Sequence, residues 1–346
     1  MSSSSSIPCI LVLHGPEVFD TGDVSFLISR LCPDRVIVAG VMARTAAEES
    51  GIPCEFISVP PSRVLKKLDD GCIILANHGK TPDSGRIFGE IVASRLLPRG
   101  LIQVECSDKT LYVWNRPVDR EVLDIADKTG FIVTPATVSE QLRPGERIIR
   151  GCIAGEPVYV DGIVIGHATG PEVVLKASEG NIIPVSGIVP KIHGLEKIRV
   201  KHYDDLSRAW CKSGTIRRSG PAESFRRRHN GRVLFIDHCG HHLYTLLTPD
   251  VCGIVSVGDD TTAVCGHICS HLGIPVFGII DGDRDGVVEG RYTSGSVIAV
   301  AVNERDDDIG LELKEIVPSD PVEWNDFVSK LIRYLGARVT VSKFQE

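Results

Sequence analysis

Short apolar runs alternate with segments of helical spacing in the first third of the chain. The apolar runs lie at residues 10–13, 35–39, 54–59 and 72–76, and the helical segments lie at 23–28, 45–49, 64–68 and 86–97. Continuous apolar strands that alternate with helices indicate a parallel sheet covered on both faces. The pattern therefore predicts a doubly wound α/β domain over residues 7–125, behind a disordered Ser tail at residues 1–6.

The rest of the chain changes in character twice. Residues 126–200 are rich in glycine and in short β-type runs, and Asp161-Gly162 between two of these runs indicates a two-residue hairpin turn. A basic linker follows at 201–232, and residues 233–346 return to alternating strands and helices. We therefore expect an α/β fold in which two Rossmann-like parallel-sheet domains flank a small β-rich middle domain.

Composition narrows the classes of protein that fit this pattern. A net charge of −7 and a pI near 5.9 argue against general affinity for nucleic acids. The sequence has 11 cysteines and shows no basic, apolar leader segment of the kind that directs secretion. These two features together indicate reduced thiols rather than a disulfide framework. No apolar run approaches the length of a membrane helix. We expect a cytoplasmic protein without a membrane segment, and the sequence leaves its oligomeric state open.

The segment DGDRDG at residues 281–286 directly follows an apolar run and is the strongest candidate for chemistry. Its three carboxylates, Asp281, Asp283 and Asp285, repel one another unless a cation or a proton relieves them. Oxygen ligands suit Mg²⁺ or Ca²⁺, but the twelfth position of a calcium loop would be Tyr292 instead of glutamate. The segment therefore predicts Mg²⁺ ligands, although an Asp/Gly-rich surface turn is the structural alternative.

Residues 258–262 read GDDTT, follow another apolar run and precede a helix expected at 262–272. Asp259 and Asp260 are further candidate metal ligands, because a right-handed crossover would bring this loop beside residues 281–286. A helix N-terminus also favours phosphate, although capping of the helix is the simpler alternative. The candidate phosphate-binding residues of this loop are Gly258, Thr261 and Thr262.

Polar side chains also follow strands of the first domain. His14 and Glu17 come after the first predicted strand, and His78 comes after the fourth. Because histidine titrates near neutral pH, these three residues are candidate catalytic acids or bases, with a structural role as the alternative.

Two further segments have open interpretations. Arg227 and Arg228 lie in the basic stretch and are candidate phosphate ligands, and residues 197–232 leave contact with a nucleic acid open. Cys265 and Cys269 share one helix face, which is compatible with soft-metal binding, but burial of small thiols is the simpler interpretation.

The phrases LHGPEVFDTGD, GDDTTAV and GIPVFGIIDGDRDG together resemble an uncharacterised family of methanogen archaea, classed as a domain of unknown function. The similarity spans nearly the whole chain and implies an archaeal, cytoplasmic origin. The last phrase is also similar, more distantly, to the strand and DxD segment of Toprim domains. That likeness implies Asp281 and Asp283 as metal ligands, with Asp259 where those domains have glutamate.

These observations lead to one main hypothesis and two alternatives. The main hypothesis is a Mg²⁺-dependent enzyme that acts on a phosphorylated or nucleotide-like small molecule, by phosphoryl transfer or hydrolysis. The alternatives are a non-enzymatic regulatory protein that binds a nucleotide or cofactor, and a Cys/His soft-metal carrier.

Overall fold

The computed structural model divides the chain into two compact units. It describes residues 8–57, 59–68, 71–139, 145–199, 202–206, 209–222, 228–282 and 285–344. The first unit comprises Met1–Gly155, Ala168–Val189 and His202–Arg208, and the second comprises Glu156–His167, Pro190–Lys201 and Ala209–Glu346. The domain boundaries predicted at 125, 200 and 232 stay predictions.

The first unit is built on a seven-stranded sheet. Its strands are β1 (Cys9–His14), β2 (Arg35–Ala39), β3 (Glu55–Ile57), β4 (Cys72–Asn77), β5 (Leu101–Glu105), β6 (Thr110–Trp114) and β7 (Ile132–Ala136). Their order is β3-β2-β1-β4-β5-β6-β7, and every neighbouring pair is parallel except β5 and β6. The central strands are buried along most of their length because helices cover both faces.

Within the described residues, helices connect these strands except between β5 and β6. They are α1 (Glu17–Asp20), α2 (Asp23–Leu31), α3 (Val41–Ser50), α4 (Pro61–Lys66), α5 (Pro82–Leu96) and α6 (Arg120–Thr129). Helix α5 begins at a capping box, in which the Thr81 side chain accepts from the backbone N–H of Ser84 and the Ser84 hydroxyl accepts from that of Thr81. Pro82 at its first position fits this start because proline lacks the N–H that a first turn leaves unpaired.

Short antiparallel strands follow. In the first unit β8 (Glu146–Arg150), β11 (Glu172–Ser178) and β12 (Asn181–Ser186) form a three-stranded sheet. In the second unit β9 (Pro157–Val160) pairs with β10 (Ile163–Ala168) and with β14 (Cys211–Ser213). The remaining elements of this region are β13 (Ile188–Pro190) and helix α7 (Ile192–Arg199). The predicted hairpin turn is confirmed between β9 and β10, where Asp161 and Gly162 both have positive φ. Helix α7 was not predicted.

The second unit contains a six-stranded sheet in the order β19-β15-β16-β17-β18-β20. Its strands are β15 (Asn230–Asp237), β16 (Val251–Val257), β17 (Val276–Ile280), β18 (Val297–Ala301), β19 (Val322–Glu323) and β20 (Val339–Lys343). Its helices are α8 (Leu243–Leu246), α9 (Asp259–Leu272), α10 (Asp306–Ile316) and α11 (Trp324–Leu335), with 3₁₀ turns at Gly240–His242 and Gly336–Arg338. Strands β15 to β18 are parallel, so the predicted α/β class with Rossmann-like parallel sheets is confirmed.

In this unit helix α11 packs closely on the sheet because Gly253 on β16 has no side chain. Trp324 is fully buried, and a Cβ atom at Gly253 on β16 would lie 2.0 Å from its Cε3 atom. The indole nitrogen of Trp324 donates to the carbonyl of Gly295 at 2.9 Å, which satisfies the one polar atom of the side chain. Helix α11 is therefore fixed on the sheet through Trp324.

Candidate metal centre

Three aspartates meet at the carboxyl edge of the second sheet. Asp259 begins α9 directly after β16, Asp281 follows β17, and Asp306 begins α10 after β18. Because β16, β17 and β18 are adjacent and parallel, the residues that follow them lie at the same edge. One carboxylate oxygen from each aspartate lies within 4.8 Å of the other two. We call these three residues the aspartate triad.

The local backbone explains how this triad is held. Gly258 precedes α9 with a φ of 98°, a conformation that side chains disfavour, and the helix therefore begins at Asp259 rather than at the predicted residue 262. The Oδ2 atom of Asp259 accepts hydrogen bonds from the backbone N–H groups of Asp281 and Gly282, both at 3.1 Å. Two neighbouring loops are thus joined through one carboxylate.

Asp306 is the most buried member of the triad, with 1% of its surface exposed. Its Oδ1 atom accepts from the backbone N–H of Asp307 at 2.8 Å, whereas its buried Oδ2 atom has no hydrogen-bond partner among the described residues. Burial raises the pKa of Asp306 to about 6, with further contributions from Asp281 and Asp307 and an opposing one from Lys197. An ionised carboxylate in this position is costly unless a cation or a proton compensates it.

The donor set of the triad fits a hard divalent cation. All three residues offer carboxylate oxygens, which are the ligands preferred by Mg²⁺ and Ca²⁺. Ligand oxygens on opposite sides of Mg²⁺ lie about 4.2 Å apart, and those around Ca²⁺ lie up to about 5 Å apart. The spacing of the triad is of this order, and its charge requires compensation, so these residues fit a metal ion.

Basic side chains lie next to the triad. The Nε2 atom of His238, which follows β15, lies 3.2 Å from the Nζ atom of Lys197 on α7. Lys197 and His238 both approach the carboxylate of Asp307, at 3.7 and 3.6 Å. The Nδ1 atom of His238 lies 2.5 Å from the Oδ1 atom of Asp237. An acidic centre and a basic pair therefore share this edge of the sheet.

Two of the predicted metal ligands form a separate group. The Asp260 and Asp285 side chains are hydrogen-bonded to each other, and Lys191 lies 2.7 Å from Asp285. Burial, followed by the charge of Asp285, raises the pKa of Asp260 to about 7. Lys191 thus already offsets the charge of Asp285, and the raised pKa of Asp260 favours its neutral form. Asp283 lies outside the described residues.

The predicted phosphate-binding residues have different surroundings. Thr262 is buried, and its hydroxyl lies 2.8 Å from that of Ser256, so its polar atom is engaged in the interior. Thr261 is half-buried, and Arg228 is exposed. Arg227 lies outside the described residues. Of this group, Gly258 lies nearest to the triad, because it immediately precedes Asp259.

The predicted catalytic residues of the first unit lie at the carboxyl ends of β1 and β4, which are neighbours. The Nδ1 atom of His14 lies 2.9 Å from the carbonyl oxygen of Ala39, and its ring stacks on Phe88. His78 lies 2.7 Å from the carboxylate of Asp23, and Glu17 is the first residue of α1. These residues are near one sheet edge, but they do not form a convergent group of three metal-binding side chains.

Asp306 was not identified from the sequence. It also follows a strand, but residues 302–305 separate it from the end of β18, and three consecutive aspartates stand at positions 306–308. The rule that identified the other loops, acidic residues directly after a buried strand, would have to be extended by several residues to include this segment. It would not have distinguished Asp306 from the exposed Asp308.

The cysteines do not add a metal centre within the described residues. Cys265 and Cys269 are fully buried, and burial raises the pKa of both thiols. Such thiols are protonated and behave as small apolar side chains. Among the described ranges, the one convergent group of three potential ligands is the aspartate triad. No helix in these ranges is long and apolar enough to span a bilayer.

Comparisons with known proteins support the family resemblance. A family model described as "Uncharacterized protein conserved in archaea (DUF2117)" matches residues 11–320. The chain is similar to the uncharacterized protein MJ0065 of Methanocaldococcus jannaschii, with 32% identity over 330 residues that cover 88% of this chain and 90% of the relative. No solved structure matches. The resemblance to the archaeal family is confirmed, whereas the Toprim-like resemblance finds no support in these matches.

Proposed function

The chain belongs to the archaeal family DUF2117, and from the geometry of its own aspartates we propose that it is a Mg²⁺-dependent enzyme acting on a phosphorylated small molecule. The observation that carries this proposal is the triad of Asp259, Asp281 and Asp306. A buried carboxylate with an unpartnered oxygen is stabilised when a cation takes the place of the missing partner. Bound there, the ion would polarise a phosphoryl oxygen and offset developing negative charge.

The position of the triad favours a small substrate. Ligands of open parallel sheets bind beyond the carboxyl ends of the strands, and this is where the three aspartates lie. A lysine and a histidine stand next to the triad, and basic side chains beside a hard cation are typical of phosphate sites. The acidic net charge of the chain gives no support to a nucleic acid as the substrate.

Calorimetric titration with Mg²⁺ tests the metal half of the proposal. Asp281→Asn and Asp306→Asn each remove one carboxylate from the triad and should weaken Mg²⁺ binding at least about tenfold, because each removes one negative ligand. Asp308→Asn is the matched control, since it removes an exposed neighbouring charge and should leave binding unchanged. Equal Mg²⁺ affinity in all four proteins would contradict the proposal.

Turnover separates an enzyme from a regulatory binding protein. The wild-type protein is incubated with nucleoside phosphates and sugar phosphates, with and without Mg²⁺, and released phosphate is measured. We expect release with at least one of these compounds, dependent on Mg²⁺ and lost in Asp306→Asn. Binding of a compound without turnover would instead support the non-enzymatic alternative.

A further inference from the structure

Lys197 and His238 form a basic pair beside the aspartate triad, and we propose that this pair binds the phosphoryl group and transfers the proton in hydrolysis of a phosphate monoester. The inference rests on the proposed function, because the same phosphoryl group would contact the cation. It goes further by assigning a reaction, a substrate class and two residues with separate roles.

Two different elements bring the pair to the triad. His238 follows β15, the neighbour of β16, and its Nε2 atom would lie 3.1 Å from a Cβ atom at Gly258. The imidazole ring therefore packs directly over the residue that precedes Asp259. Lys197 reaches the same place from α7, with its Nζ atom 3.2 Å from His238 Nε2 and 3.7 Å from Asp307 Oδ2. The backbone N–H of Asp307 donates to Asp306, so the pair contacts the chain neighbours of two members of the triad, Asp259 and Asp306.

Both nitrogens of the His238 ring lie close to a polar partner. A hydrogen bond from His238, together with the nearby charges, keeps the pKa of Asp237 below its usual value. The Asp237 carboxylate is therefore ionised and accepts a hydrogen bond from Nδ1–H of His238. In the neutral tautomer with the proton on Nδ1, the Nε2 atom carries a lone pair that accepts from the Lys197 ammonium group at 3.2 Å. The pair thus combines a positive charge with an acceptor nitrogen, which are the two components needed to bind an anion and deprotonate water.

The charges around the pair favour a single phosphoryl group. Arg305 lies 2.7 Å from Asp307 and offsets the carboxylate that faces Lys197 and His238. One lysine and one metal centre match one phosphoryl group, whereas a di- or triphosphate usually requires several cationic contacts. The monoester is therefore the substrate class that this arrangement fits.

The reaction balances without an external reagent. The Lys197 ammonium group turns to the phosphoryl group and frees the lone pair on Nε2 of His238. The oxygen of a water molecule then forms a bond to phosphorus while one of its protons passes to this Nε2 atom. The ester P–O bond breaks, and the leaving oxygen takes a proton from the Lys197 ammonium group. The imidazolium then returns its proton to Lys197 through the hydrogen bond that already joins them. The net change converts a monoester and water into an alcohol and hydrogen phosphate.

The test uses the full chain with orthophosphate, the product of every such reaction, and with p-nitrophenyl phosphate as a generic substrate. Orthophosphate binding is measured calorimetrically in the presence of Mg²⁺ for the wild type, Lys197→Met and His238→Asn. Lys343→Met is the control, because Lys343 is exposed at the end of β20. Mg²⁺ binding is measured for each variant to show that the triad and the fold are intact.

We expect Mg²⁺-dependent orthophosphate binding by the wild type, and a loss of at least about tenfold in Lys197→Met. We expect His238→Asn to lower kcat for p-nitrophenyl phosphate by about a hundredfold or more with little change in KM. If both variants bind and hydrolyse like the wild type, the inference is overturned while the proposed function stands. A wild type that binds Mg²⁺ but not orthophosphate also overturns it, and one that does not bind Mg²⁺ contradicts the proposed function itself.

Discussion

Substitution of Asp306 by asparagine should stabilise the metal-free protein, although it removes a group that we place in the active centre. The substitution keeps the shape of the side chain and removes the charge. The asparagine side chain retains an oxygen for the backbone N–H of Asp307, and its amide nitrogen replaces the unpartnered oxygen. This nitrogen can donate to a neighbouring carboxylate of the triad. The substitution therefore removes the repulsion between Asp306 and the neighbouring carboxylates and the cost of burying its charge, and a hydrogen bond takes their place.

The magnitude follows from the pKa of Asp306. A rise from the ordinary value of 3.8 to about 6 corresponds to about 3 kcal/mol of destabilisation when the group is ionised, and screening by water lowers this to about 2 kcal/mol. Because the folded-state pKa is raised, the penalty is absent below pH 3.8, grows as the pH rises towards 6, and is fully present above it. The variant should therefore gain about 2 kcal/mol at pH 8 and nothing near pH 3.5.

The assay is urea denaturation in a chelating buffer at several pH values, repeated with Mg²⁺. At a concentration one hundred times its dissociation constant, the ion should stabilise the wild type by about 2.7 kcal/mol and the variant by much less. Asp308→Asn, which removes an exposed charge, should change stability by less than about 0.5 kcal/mol. A loss of more than about 1 kcal/mol in metal-free Asp306→Asn at pH 8 would refute the reasoning, because the charge would then be compensated within the protein.

Two further predictions concern the scaffolds of the two units. Gly253→Ala places a Cβ atom 2.0 Å from Trp324, so thermal denaturation should show a loss of about 2–3 kcal/mol, whereas Gly170→Ala, with nothing within 4 Å, should be nearly neutral. An unchanged melting temperature in the first variant would show that the helix can shift freely. Glu105→Gln keeps one oxygen for the backbone N–H groups that bind Glu105 Oε1 at 2.9 Å, but it puts an amide NH2 group in place of Oε2, which accepts from the Asn77 amide. Two buried donors then face each other, which should cost about 1–3 kcal/mol in urea denaturation. The exposed Glu315→Gln serves as its control, and equal stability of the two variants would contradict this expectation.

Strands and turns that are encoded by residues adjacent in the chain could be predicted from the sequence. The run at 72–76 is apolar throughout, and the run at 252–257 is apolar except for Gly253 and Ser256. Runs of this kind and length are typical of strands buried on both faces. The two runs form β4 and β16, which are central strands of the two large sheets. The hairpin at Asp161-Gly162 is likewise encoded by two residues that tolerate positive φ.

Which residues form the site depends on contacts between residues that are far apart in the chain. The sequence pattern does not encode these contacts. Positions 306–308 are chemically identical, and packing of α10 alone buries Asp306 and leaves Asp308 exposed. The pairing of Asp285 with Lys191 joins residues 94 positions apart. From spacing alone, Asp260 and Asp285 have the same claim to a metal ion as Asp259 and Asp281. Only the three-dimensional arrangement shows that Lys191 forms an ion pair with Asp285 of the former pair.

Diffraction from crystals soaked in Mn²⁺, which replaces Mg²⁺ in oxygen sites and scatters anomalously, tests the central claim most directly. We predict an anomalous peak bounded by the carboxylates of Asp259, Asp281 and Asp306, and no such peak in crystals of Asp306→Asn. An occupied Mn²⁺ position elsewhere on the chain, with nothing between these three carboxylates, would contradict the account.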